Sequence, residues 1–364
     1  MTQFRFVYPV IFLIFLCTVA LAQEIQWHDP LAAGFAIHGQ LHGVDGYARL
    51  PEEAEGQIRQ PVWNLSRHTA GLELRFITDA STIQVRFVPT GNIQMPHMPA
   101  TGVSGLDLYV KNDAGIQDWV RGAYSFGDTV SYIFRINLPE QEEREFKLYL
   151  PLYNGVKDLE VGVATGNQLK FIPTSPEKPI VVYGTSIAQG ACASRPGMAW
   201  PAIVGRDMDH TVINLGFSGN GRLEPEVLAY MANTEATVYI LDCLPNLVPS
   251  VNWTEEEIKN RLIHAVQFLN EKQPDAPVLM VEHAGYSDGL TDRERESAVE
   301  KVNSWAKDVY MKLFSEGVTE IYLLTKEAIQ LDLDATVDGT HPSDWGMQQL
   351  AEGYVEILRE ILDE

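Results

Sequence analysis

The residues with the most chemical promise are Ser186, Asp338 and His341, each in a short loop that follows a strand-like run. Residues 179–190 read PIVVYGTSIAQG. Ile180, Val181 and Val182 have the composition of a buried strand, Gly184 breaks it, and Ile187 and Ala188 open a helix. Ser186 therefore stands at the carboxyl edge of a sheet, with helix amides and dipole beneath it, as a nucleophile requires. A plain helix cap is the alternative for this serine. Acyl transfer needs a nucleophile, a base, a group that orients the base, and donors for the developing oxyanion. Ser186 can attack, His341 can take its proton, and Asp338, three residues earlier, can hold the imidazole tautomer and stabilise the imidazolium. The N–H groups of Ser186 and Gly219 and the side-chain amide of Asn246 can face the oxyanion. Ordinary turn chemistry for Gly219 and Asn246, and a local hydrogen bond for Asp338 and His341, are the competing explanations.

These residues must be carried by regular elements. From residue 179 onward, strand-like runs (179–184, 211–219, 236–246, 277–285, 318–325) alternate with helical ones (198–208, 223–232, 254–273, 291–317, 343–362). Thr254 with Glu257, and Thr291 with Glu294, read as capping boxes for the two long helices. This βα alternation predicts a parallel sheet between helices, with its ligand site at the carboxyl ends of the strands. Ser186, Gly219, Asn246 and the Asp338–His341 loop all fall at that edge. Residues 23–172 look different. Segments 71–78, 82–89, 105–111, 128–138, 144–155 and 158–163 alternate apolar and polar residues and are separated by Gly, Pro, Asn and Asp. That pattern predicts a β-sandwich, and no helical pattern of useful length is visible. The polar, three-proline stretch 171–179 marks the boundary.

The chain has 364 residues, 45% hydrophobic and 10% aromatic, enough for two domains with substantial cores. Its formal charge of −22 disfavours nucleic acid and anionic lipid surfaces as partners. Residues 1–22 read as a secretory leader: Arg5, an apolar run from Phe6 to Leu21, and an Ala20-Leu21-Ala22 cleavage pattern. A secreted or periplasmic location follows, with an N-terminal anchor as the alternative. Leu16 before Cys17 does not suit a lipidation site, and no later run is long and apolar enough to span a bilayer. Cys192 and Cys243 form neither a disulfide framework nor a CxxC metal pair, and no metal or cofactor is expected.

Four blocks, GTS with Ser186, NLGFSG with Gly219, LPN with Asn246 and DGTH with Asp338 and His341, occur in the order found in SGNH (GDSL-like) hydrolases, which residues 179–362 resemble. Thr185 stands where that family carries an acidic residue before the nucleophile. The GLDLY segment, Gly105 to Tyr109, together with FKLYLPLYNG at 146–155, resembles the GxDLY-type β domain that precedes some bacterial SGNH esterases. The resemblance implies a five-stranded, flavodoxin-like α/β sandwich at 173–364 behind a jelly-roll-like sandwich at 23–172. It also implies hydrolysis of acyl esters through an acyl-enzyme, with O-acetyl groups on carbohydrate as the expected substrate. A lipase or thioesterase, and an idle carbohydrate-binding protein, are the alternatives. In the strand order so implied, the strands before Cys192 and Cys243 are neighbours, so a secreted chain could join them by a disulfide; two buried thiols are the other possibility. Glu282 and His283 end a strand at the same edge; they could face substrate or support the residues that do, and a purely structural role is the alternative. Trp345 could line a sugar pocket or pack the last helix, and Arg195 could meet a substrate oxygen or be solvated. Asp332 and Asp334 read as a solvated loop, and Asp107 as a turn or inter-strand partner.

Overall fold

The computed structural model describes residues 24–32, 37–137, 142–174 and 176–363. The predicted leader, with Cys17 and Ala22, lies outside these residues, as does Leu138.

The alternating segments of the first half form β1 (Ile25–His28), β2 (Glu73–Thr78), β3 (Thr82–Pro89), β4 (Asp107–Lys111), β5 (Gln117–Val120), β6 (Gly122–Ser125), β7 (Val130–Arg135), β8 (Arg144–Tyr149), β9 (Val156–Ala164) and β10 (Leu169–Phe171). They pair antiparallel in two five-stranded sheets, ordered β1-β9-β3-β7-β6 and β10-β2-β8-β4-β5. Period-two alternation turns one face of each strand inward. Leu74, Phe76, Ile83, Val85, Phe87, Leu108, Phe134, Phe146 and Val161 accordingly fill a single core between the sheets. Two helices are inserted, α1 (Gln60–Ser66) and the single turn α2 (Ala100–Val103). The absence of helix expected here is thus corrected. At 7 residues, α1 is too short to display a helical period, and tertiary packing holds it.

The second half runs β11 (Ile180–Gly184), α3 (Ser186–Gln189), α4 (Trp200–Asp207), β12 (Val212–Gly216), α5 (Pro225–Met231), β13 (Val238–Asp242), α6 (Glu255–Lys272), β14 (Val278–Val281), α7 (Arg293–Ser315), β15 (Ile321–Leu324), α8 (Lys326–Ile329) and α9 (Asp344–Leu362). The five strands are parallel, in the order β12-β11-β13-β14-β15. The chain leaves β11 toward β12 on one side and later adds β13 on the other, so the topological switch point lies at the end of β11, where Ser186 sits. Thr254 caps α6, its Oγ1 accepting from Glu257 N–H at 3.2 Å. The cap of α7 is Asp292, one residue beyond the predicted Thr291, with Oδ1 accepting from Arg295 N–H at 3.1 Å. A carboxylate serves there better than a hydroxyl because it also meets the positive end of the helix dipole.

β11 shows how the sheet divides the core. Ile180 and Val182 face a cluster with Trp200, Met347 and Leu358. Val181 and Tyr183 face the opposite cluster with Val227, Leu262 and Val302. Each cluster takes residues from the first half: Leu41, Leu50, Ile58, Val62 and Trp63 in the second, Met98, Val103, Leu152 and Tyr153 in the first. The boundary at 171–179 separates element types but not cores, because residues 41–63 lie on the parallel sheet.

Candidate active site

β11 ends at Gly184, and Thr185 turns the chain into α3 by accepting from Ile187 N–H on its Oγ1 at 3.3 Å. The position where the resemblance would place an acid is thus occupied by a helix cap. Ser186 is the first residue of α3, and its Oγ lies 2.9 Å from His341 Nε2 although the residues are 155 apart in sequence. His341 Nδ1 lies 2.8 Å from Asp338 Oδ2. The other carboxylate oxygen accepts from the backbone N–H groups of His341 at 2.8 Å and Thr340 at 3.1 Å. An ionised carboxylate only accepts, so the proton sits on Nδ1 and Nε2 is left to accept from the serine hydroxyl. Partial burial pushes the Asp338 pKa up, but the hydrogen bonds from His341 outweigh it and hold the carboxyl below the usual range.

Opposite this chain lies the loop after β12. Asn220 and Gly221 N–H close it on Phe217 O at 2.8 and 2.9 Å. A Cβ on Gly221 would fall 1.9 Å from Gly184 O, so only glycine allows the loop to rest on the end of β11. Gly219 adopts φ +67°, and a Cβ there would meet nothing within 4 Å, so its peptide borders open space. Asn246 ends a 3-10 turn at Leu244–Asn246; one Nδ2 hydrogen goes to Gly221 O at 3.2 Å and the second remains available. The Ser186 N–H, at the start of α3, the Gly219 N–H and the Asn246 amide are therefore presented by three adjacent strand ends.

The first half braces this loop through residues that sequence reasoning missed. Arg49 is buried at 1% exposure; its Nη1 donates to Asn214 O at 3.1 Å and Gly216 O at 2.6 Å, its Nε to His68 O at 2.9 Å and its Nη2 to Leu65 O at 2.6 Å. Burial lowers its pKa to about 9. Arg59 donates to Asn220 Oδ1 at 2.9 Å and Asn220 O at 3.1 Å, and pairs with Glu224. His97, also from the first half, is exposed and brings its ring to 6.0 Å from that of His341. Nothing in sequence spacing signals these three, since each acts on groups more than a hundred residues away.

The lesser candidates fare differently. Cys192 and Cys243 are buried free thiols, the second of the two possibilities, and the disulfide is not formed. They lie in clusters on opposite faces of the parallel sheet, so strand adjacency does not bring their sulfurs together. The Cys192 thiol donates to His97 O at 3.5 Å and lies with Asp338 and His341 in a group whose donor atoms fall within 4.8 Å of one another. Burial, then the Asp338 charge, push its pKa up to about 12. Arg195 is half-buried and paired with Asp107 at 2.6 Å rather than solvated. Asp107 is an inter-strand partner, accepting from Trp119 Nε1 of the neighbouring strand at 2.7 Å, and also bridges the two halves through Arg195. His283 is buried, not substrate-facing; its Nδ1 accepts from Gly285 N–H at 3.0 Å, and burial lowers its pKa to about 3. Glu282 is buried and accepts from Lys326 N–H at 2.8 Å. Trp345 is 56% exposed and does not pack α9; its Nε1 donates to Asp332 at 3.2 Å. Asp334 is exposed.

Residues 177–359 match the model of the GDSL-like lipase/acylhydrolase family, and residues 25–169 match the GxDLY model, the N-terminus of SGNH-hydrolase-type esterases. No match is found among curated proteins. Among solved structures, one described as a GDSL-like lipase from Bacteroides ovatus ATCC 8483 superposes with a TM-score of 0.84 at 31% identity, covering 93% of this chain and 98% of that one. A salicylyl-acyltransferase from a tetracycline biosynthetic pathway gives 0.74 at 19% identity over 93% and 97%. A family two carbohydrate esterase from Clostridium thermocellum, in complex with cellohexaose, gives 0.54 at 14% identity over 80% and 92%. The last two share the fold.

Proposed function

The chain belongs to the GDSL-like lipase/acylhydrolase family and is an ester-hydrolysing enzyme, and we propose that it works as a serine esterase, with Ser186 as nucleophile, His341 as base and Asp338 as the group that orients and stabilises the imidazole. The observation that carries this reading is the hydrogen-bonded chain Ser186–His341–Asp338, at 2.9 and 2.8 Å.

In the first step His341 Nε2 takes the Ser186 proton as Oγ attacks the acyl carbon. The oxyanion is received by the Ser186 and Gly219 N–H groups and the Asn246 amide. Asp338 stabilises the imidazolium, which then protonates the departing alkoxide. Water, activated by the same imidazole, hydrolyses the acyl-enzyme and releases the acid. Residues 173–364 carry these groups, and residues 23–172 frame them.

We read the substrate as a small acyl ester, acetyl above all, on a carbohydrate, met outside the cytoplasm. The leader-like residues 1–22 and the net charge of −22, which disfavours polyanions, agree with this. The carbohydrate esterases among the structural neighbours agree at the level of the fold. The test is p-nitrophenyl acetate hydrolysis by the full chain and by Ser186→Ala, then an acyl-chain series and acetylated glycans. Turnover lost in the variant, and preference for acetyl on glycan, are expected. Residual turnover in Ser186→Ala overturns the mechanism, and preference for long acyl chains overturns the substrate.

A further inference from the structure

The GLDLY segment has a spacing that the β-sandwich alone does not explain. Leu106 and Leu108 point into the sandwich core. Asp107 and Tyr109, on the alternate face of β4, point out of it, toward the second half. There the Asp107 carboxylate is 3% exposed and takes three donors: Arg195 Nη1 at 2.6 Å, Gly197 N–H at 2.9 Å and Trp119 Nε1 at 2.7 Å. Tyr109 OH accepts from the same Arg195 nitrogen at 2.7 Å. A buried carboxylate costs free energy unless it is paired and hydrogen-bonded, and here it is both.

What these contacts hold is the loop that follows α3. That loop starts on the nucleophile's own turn, where Gly190 and Ala191 N–H donate to Ser186 O at 3.1 and 2.9 Å. It passes Ser194, whose carbonyl accepts from Thr101 Oγ1 of the first half at 2.7 Å. Ser194 in turn grips Asp344 twice, its N–H to Oδ1 at 2.8 Å and its hydroxyl to Oδ2 at 2.5 Å. Asp344 opens α9, three residues after His341. One run of polar contacts thus joins the β half to the loop of the nucleophile and to the loop of the base.

We propose that Asp107 is a positioning residue for catalysis: through Arg195 and Gly197 it sets the 190–198 loop, whose Ser194 holds Asp344 and so fixes His341 against Ser186. This rests on the serine-esterase reading above. It gives the β half a part in the reaction without any contact with substrate. Misplacement of a base by a fraction of an ångström lowers kcat, whereas substrate binding through other contacts is left alone.

The test is p-nitrophenyl acetate kinetics of the full chain carrying Asp107→Asn, Ser194→Ala and both, with kcat expressed per serine titrated by a phosphonate. Asp107→Asn is expected to lower kcat about tenfold and KM less than about twofold, and the double variant to fall little below the worse single one, because both act along one path. An unchanged kcat per titrated site, with only thermal stability reduced, would make Asp107 structural and overturn the proposal; so would losses that multiply. If Asp107→Asn does not fold, Thr101→Val and Ser194→Ala carry the same test, each expected to cost about threefold in kcat, and an unchanged kcat in both overturns it. Ser186→Ala is run beside them. Turnover surviving in it overturns both readings, whereas its loss beside normal Asp107→Asn and Ser194→Ala overturns this one alone.

Discussion

Replacing Asp338 by Asn and by Ala should damage the enzyme to different degrees, with the closer isostere doing more harm. In Asp338→Asn the amide oxygen keeps the backbone N–H groups of His341 and Thr340, which now hold Oδ1 at 2.8 and 3.1 Å. The amide nitrogen is then forced into the place of Oδ2, 2.8 Å from His341 Nδ1. It can only donate, so Nδ1 must accept and the ring proton moves to Nε2. An Nε2–H cannot take the serine proton, so a loss of about 10³–10⁴ in kcat is expected, or about 4–5.5 kcal/mol of barrier. Ala removes the carboxylate without imposing a tautomer. The Asp338 side chain is 39% exposed, so water can enter and accept from Nδ1. The loss expected for Asp338→Ala is about 10², and added formate should restore part of it by occupying the vacated site. The assay is p-nitrophenyl acetate turnover of the wild type and both variants, with and without formate, after circular dichroism confirms the fold. Asp338→Asn turning over within tenfold of the wild type, or faster than Asp338→Ala, would refute the tautomer argument and with it the assignment of His341 as base.

Asn246→Ala should lower kcat by about 10²–10³ by removing an oxyanion donor, measured with the same ester; a loss of only a few-fold would leave Asn246 as the turn that holds Gly221. Both Cys192 and Cys243 should stay unreactive to a thiol reagent until the protein unfolds, and reductant should leave Tm unchanged; a tryptic peptide linking the two would contradict this. Stability against urea should fall in mild acid. His283 and His68 are held neutral by burial, at pKa of about 3 and about 4 against an ordinary 6.5, so the unfolded chain binds more protons below pH 6.5. Between pH 7.5 and 5 each group costs about 2 kcal/mol. Asp242 works the other way: burial raises its pKa to about 7, so the folded chain binds the extra proton and gains about 2.5 kcal/mol over that interval. Asp242→Asn should therefore lose stability more steeply than the wild type on acidification, and equal slopes in urea titrations at the two pH values would show that Asp242 does not titrate there.

Local chemistry made much of this protein legible. Period-two alternation marks the inward faces of β2, β3, β7 and β8 because each strand meets one core and one outer surface. The apolar runs at Ile180 and Val238 mark strands covered on both faces, and Thr254 marks the start of α6 by a bond within four residues. Ser186 could be picked out because it sits where β11 ends, and Asp338 with His341 because they share one loop between the last strand and the last helix, here the stretch between α8 and α9; a parallel sheet gathers such connections at one edge whatever lies between them in the chain. The remainder depends on distances that no local pattern encodes. The helix α1 exists because Val62 and Trp63 find a sheet to cover, not because seven residues prefer that form. Cys192 and Cys243 follow neighbouring strands and yet stay apart, since the side from which each approaches the sheet is set by packing. The contacts of Arg49 with Asn214 and Gly216, of Arg59 with Asn220 and of Asp107 with Arg195 join groups about ninety residues apart or more, and their partners are backbone carbonyls and side chains that carry no recognisable motif. The sequence alone determined which residues could react. The joined cores and the polar contacts across them decided how those residues are held, because holding is a matter of where the two halves of the chain meet.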